Sequence, residues 1–135
     1  MPTVTKFEDL EIWKLARKIE QFTFEQSQKG LLSQDYKLKN QMNGSSSSMM
    51  SNISEGFGRG GRLEFVNFLS IAKGSASELQ SQYYNCLDRK YLSAETFNEV
   101  YEMIDLFCKK TSAFIAYLNQ SEKKGQKFQN RKNNP

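Results

Sequence analysis

Glu55 and Glu78 are two carboxylates that helical spacing sets beside apolar positions, with Asn52 and Ser75 on the same stretches. Converging carboxylates would serve acid–base catalysis or hold a metal pair. The chain has no histidine, however, so it lacks the commonest general base, the usual zinc ligand and the simplest pH switch. Cys86 and Cys108 lie far apart in helical patterns without C-x-x-C spacing, and read as small packing residues. No nucleophile–base pair is visible. Asn52, Glu55, Ser75 and Glu78 therefore read as a structural polar network, bonded to one another, to Arg59 or to a neighbouring subunit. The chain reads as non-enzymatic, with no cofactor and no metal.

Gly56-Phe57-Gly58-Arg59-Gly60-Gly61 matches G-x-G-x-x-G literally and opens a helix. A dinucleotide site needs a strand before that motif, and here a helix precedes it. The simpler reading gives glycine two tasks. It supplies the left-handed backbone that stops one helix, and Gly61 caps the next, with Glu64 at its third position. A second reading stays open: backbone amides at a helix start, with Arg59 and Arg62 beside them, can hold a phosphate.

Four helices must position these groups. Thr5, with Glu8 three residues on, reads as a capping box, and Ile12, Ala16, Ile19 and Thr23 continue an apolar stripe as far as Gly30. The second helix runs from Ser33 or Gln34 to Glu55, the third from Arg62 to Arg89, the fourth from Ser93 to Asn119. Gly44 and Ser45–Ser48 have poor helix propensity, so this stretch is either a linker or a helix whose small residues admit a close neighbour. Met42, Met49 and Ile53 recur at seven and four, which favours the helix. No alternating β pattern competes. Short connections predict an all-α, antiparallel up-down-up-down four-helix bundle over residues 1–119. At 135 residues the chain is large enough for one core without staples.

The net charge is +4. Lys123, Lys124, Lys127, Arg131 and Lys132 face only Glu122 in residues 120–135, so that segment holds the whole excess and the rest is formally neutral. A segment so poor in apolar residues reads as a disordered basic tail. It attracts phosphate non-specifically or serves as a solubilising end. No cleavable apolar segment follows Met1 and no run approaches membrane-spanning length, so the expectation is a reduced, cytoplasmic setting without membrane contact.

The order and spacing of Phe7-x-Asp9-Leu10-x-Ile12-Trp13-x-x-Ala16, Ser51-Asn52 through Arg59, and Glu64-Phe65-x-x-Phe68-Leu69-x-Ile71-Ala72-x-Gly74-Ser75-x-x-Glu78-Leu79 resemble the four helix bundle proteins, also called 23S rRNA-intervening-sequence proteins. The resemblance covers about residues 5 to 119. It implies a homopentamer of antiparallel four-helix subunits, without established enzymatic activity. It also implies kinship with the accessory protein of diversity-generating retroelements, a basic pentamer that binds nucleic acid and reverse transcriptase. Relatives tend to carry arginine and alanine where this chain has Asn43-Gly44-Ser45-Ser46, proline in place of Met50, and a serine cap in place of Gly61.

Losing basic residues on the second helix weakens that face as an RNA grip. Lys37, Lys39, Arg59, Arg62 and the tail cations Lys123, Lys124, Lys127, Arg131 and Lys132 remain as nucleic-acid contacts. The leading reading is an oligomeric bundle that binds structured RNA or DNA. The alternative is a scaffold that presents its helices to a partner protein, with Tyr83, Tyr84 and Tyr91 as an exposed aromatic patch.

Overall fold

The computed structural model describes residues 4–133, with side chains for residues 4–121. It holds four helices and, among the described residues, no strand: α1 Glu11–Ser27, α2 Tyr36–Gly58, α3 Arg62–Asp88 and α4 Ala94–Asn133. α4 is longer than the sequence reading had it, which ended this helix at Asn119, and the tail cations lie outside the described side chains.

α1 buries Ile12, Ala16, Ile19, Thr23 and Ser27, the stripe its spacing implied. Its ends differ from the sequence reading. A 3-10 turn, Phe7–Asp9, precedes it, and Leu10 occupies the cap position with no side-chain bond, so Thr5 and Glu8 form no capping box. Leu10 is itself buried, which shows that packing rather than capping chose this start. The helix also stops at Ser27. Gly30, at φ 51, opens a second 3-10 turn over Gly30–Gln34 instead of ending the helix directly.

α2 starts where Asp35 caps it, its Oδ1 accepting from the Leu38 N–H at 3.2 Å. The helix is continuous through Gly44–Ser48. Ser45 and Ser46 are buried there between Met42 and Met49, and the Ser46 hydroxyl donates to the Asn43 carbonyl at 3.2 Å. Small side chains thus let α2 approach its neighbours closely. α2 also runs three residues past Glu55, so Gly56 and Gly58 lie inside it. The left-handed residue of the turn is Gly60, at φ 79.

Contacts set the registers. Cys86 Sγ lies 3.5 Å from Met42 Sδ, the Ser48 and Ser75 hydroxyls are 2.9 Å apart, and Gly56 meets Phe65 and Phe68. As the α2 number rises the α3 number falls, so these helices run in opposite directions. Tyr84 against Phe97 and Phe65 against Phe114 set α3 and α4 the same way. Lys90, at φ 61, reverses the chain after α3, and the Tyr91 N–H returns to the Cys86 carbonyl at 2.8 Å. Ser93 caps α4 by accepting from the Thr96 N–H. Leu69, Leu79, Met49, Ile53, Ile104 and Phe107 are fully buried, each contributing about 1.5–3 kcal/mol by leaving water.

Candidate nucleic-acid interface

Two of the four polar-network residues come together, through a third that the sequence did not single out. Asn52 Nδ2 donates to the Ser48 carbonyl at 2.8 Å and to its hydroxyl at 2.9 Å, and Ser48 in turn bonds Ser75. This chain of bonds ties α2 to α3 while satisfying polar groups at their seam. Glu55 and Glu78 stay out of it. Both are solvent-exposed, and Glu55 pairs along its own helix with Arg59. Among the described residues no cluster of three or more His, Cys, Asp or Glu is placed to hold a metal ion.

The glycine turn holds less positive field than its two arginines suggest. Arg59 lies 2.8 Å from Glu55 and 4.0 Å from Glu64, with its guanidinium 5.3 Å from the Phe68 ring centre. The Glu55 hydrogen bond, then its charge, raise the Arg59 pKa above the ordinary value. A phosphate approaching Arg59 must compete with two carboxylates. Arg62 is half-buried in the wall of an open cavity of about 470 Å³, together with Gly56, Gly60, Gly61 and Phe65.

Lys37 and Lys39 are at the far end of α2. Twenty-two residues separate Lys37 from Arg59, which at 1.5 Å per residue is about 33 Å. Lys39 lies 6.0 Å from the Tyr36 ring centre. At the same end of α2, around its cap residue, lies a cluster that the sequence reading missed. Asp35 Oδ2 accepts from Arg89 Nη1 and from the Tyr91 hydroxyl, both at 2.8 Å. The Tyr91 bond foremost, then the Leu38 N–H, hold the Asp35 carboxyl below the ordinary aspartate range, and the same bond raises the Tyr91 phenol. Asp35 preceding a helical run was a cap signal. Its partners, more than fifty residues away, carried none.

Among the described residues, Lys37 and Lys39 therefore form no single patch with Arg59 and Arg62, and the expected aromatic patch is also divided. Tyr83 is fully buried, its hydroxyl 2.7 Å from Thr23 Oγ1, and Tyr91 is half-buried on Asp35. Tyr84 alone of the three is exposed, packed against the Phe97 and Tyr101 rings. The small residues of α3 divide between core and surface as well. Ala72 and Ala76 are buried, whereas Gly74 faces open space.

A profile of the family described as 23S rRNA-intervening sequence protein matches residues 8–113, most of the helical body. This chain belongs to that family. The matched span takes in the α2–α3 seam, the glycine turn and Asp35 with its partners. Among solved structures, a protein of unknown function from the S23 ribosomal protein family of Bacteroides thetaiotaomicron shares the fold. Its TM-score is 0.70 at 17% identity, over 77% of this chain and 97% of that one. No curated protein sequence matches the chain. Within this 23S rRNA-intervening sequence protein, no helix among the described residues is long and apolar enough to cross a membrane.

Proposed function

We propose that this family member is a self-associating, non-catalytic helical bundle that binds structured RNA. The observation that carries the proposal is the distribution of cations. Arg59, Arg89, Lys109 and Lys110 of the helical body are each tied to a carboxylate. The whole formal excess of +4 lies beyond the family-matched span, in residues 120–135. Cations placed there can neutralise phosphates and release counterions without disturbing the bundle. The family's description adds an RNA context.

Self-association is supported by α3, where Leu63 and Ile71 are 68% and 52% exposed and Gly74 lies on the same side. A second copy covering that side would gain about 25 cal/mol per Å² of apolar area. A homopentamer, as the resemblance implies, would multiply weak phosphate contacts fivefold and turn them into avidity. A second reading, a scaffold for a partner protein, is favoured by the exposed Tyr84 ring and its aromatic neighbours.

The test is a salt-series anisotropy titration of labelled structured RNA. It compares the full chain with one in which Lys123, Lys124, Lys127, Arg131 and Lys132 are glutamine. Tight, salt-sensitive binding that weakens on substitution supports the reading. No binding at low salt by the unaltered chain overturns it and favours the scaffold, whose partner binding would survive high salt.

A further inference from the structure

Lys14, Arg17 and Lys18 project from α1 at positions i, i+3 and i+4, all exposed, so three cations share one helix face within little more than a turn. Among the described residues, none of the three has a carboxylate within ion-pair distance. Glu11, three residues before Lys14, is instead drawn to α4 by Lys110 at 2.7 Å. Like charges at this spacing repel one another, and the positive end of the helix dipole lies one to two turns away. These three cations therefore gain no ion pair from the fold, whereas a bound polyanion would relieve their mutual repulsion.

The same face carries an aromatic group. The half-buried Trp13 ring packs edge-on against Phe7, with centroids 5.2 Å apart, and the Arg17 guanidinium lies 5.8 Å from the Trp13 ring centre. Trp13, Lys14, Arg17, Lys18, Gln21 and Glu8 line an open cleft of about 530 Å³. Glu8 is the one carboxylate among these lining residues.

We infer that this cleft binds a single-stranded segment of RNA, with Lys14, Arg17 and Lys18 on successive phosphates and a base against the Trp13–Arg17 pair. Cations beside an aromatic face are the recurrent means of holding single strands, because every base has a face to stack and every nucleotide a phosphate. The inference rests on the RNA-binding reading above but assigns it to the helical body, on residues that neither the glycine turn nor the tail includes.

Trp13 is the only tryptophan, so its emission reports this cleft alone. The experiment titrates an RNA hairpin with a single-stranded loop into the full chain and into a full-length Lys14→Gln, Arg17→Gln, Lys18→Gln variant, following both anisotropy and Trp13 emission. All three substituted positions are exposed, and a thermal melt checks that the variant stays folded. The expected result is quenching of Trp13 in the unaltered chain. The variant should bind at least about tenfold more weakly at low salt, with the salt slope reduced by about 2, since each single-strand phosphate contributes about 0.7. Glu8→Gln should tighten binding. RNA binding that the triple variant retains, with Trp13 emission unmoved, overturns this site and leaves the RNA-binding reading standing. Absence of RNA binding by the unaltered chain at low salt overturns both. Phosphatidylserine vesicles that bind as tightly as RNA, and lose binding equally in the variant, would overturn the assignment in favour of a lipid headgroup.

Discussion

A Cβ built on Gly56 would lie 2.6 Å from Cβ of Phe68, closer than two carbons can approach, so α2 and α3 meet here at a distance only glycine permits. The Phe68 Cβ moves only with its helix, and the Phe65 ring at 3.1 Å closes the other side. Gly56→Ala should therefore lower stability by about 1–3 kcal/mol, the usual range for overpacking, read as a drop in Tm of several degrees.

Gly74 provides the contrasting case. It is exposed, mid-helix, with nothing within 4 Å of a built Cβ, so Gly74→Ala should raise the stability of an isolated protomer by about 1 kcal/mol through helix propensity. If α3 forms a subunit interface on this side, the same change should instead shift the oligomer towards monomer in sedimentation velocity. A rise in Tm with the assembly state unchanged would argue against that interface.

Thr23 and Tyr83 form a buried hydroxyl pair between α1 and α3. Tyr83→Phe should cost about 1–2 kcal/mol, because the Thr23 hydroxyl is left in the core without its partner. Burial also raises the Tyr83 phenol above its ordinary 10 and pushes the Cys86 thiol up to about 12. Both groups stay protonated in the folded chain after the unfolded chain has begun to lose its protons. Their stabilisation is complete below about pH 9 and declines as pH rises towards 12. Urea melts across that range should show a shallower decline above pH 10 for Tyr83→Phe than for the unaltered chain.

Asp35 acts at the other end of the pH scale. Its folded carboxyl sits below the ordinary 3.8, so the stabilisation is present above that value and disappears as pH falls through the folded pKa. Asp35→Asn should lower Tm at neutral pH, through the cap and the Arg89 and Tyr91 bonds, and flatten the acid decline below about pH 4. An unchanged acid limb would show that Asp35 does not control it.

Glu55→Gln together with Glu64→Gln should leave Tm within a degree or two, since exposed ion pairs contribute little. The double variant frees Arg59, so RNA affinity should rise if the glycine turn lies close to bound RNA. Affinity that does not change places the RNA elsewhere on the molecule.

The four helices were legible in the sequence because apolar residues recur at three and four over long stretches. The polar pattern of α2 did not hide it, since Met42, Met49 and Ile53 kept the period. The ends were less legible. Leu10 starts α1 because burying it outweighs the cap that Thr5 offered, a choice made by packing and not by local chemistry. Of the candidate site, sequence alone supplied residue types and the separation of charge between body and tail. It could not show which cations are already neutralised. Glu55 and Glu64 both reach Arg59, Asp35 reaches across the bundle to Arg89, and Glu11 turns away from Lys14 to Lys110. The Glu55–Arg59 pair follows from i,i+4 spacing along α2, which the sequence offered. The pairs of Asp35 with Arg89 and Glu11 with Lys110 depend on which helix faces meet, and only the packed fold brings residues fifty or a hundred positions apart within 3 Å. The same distances decided that Tyr83 is core, that Glu78 faces solvent, and that Gly56 is needed for contact while Gly74 is not.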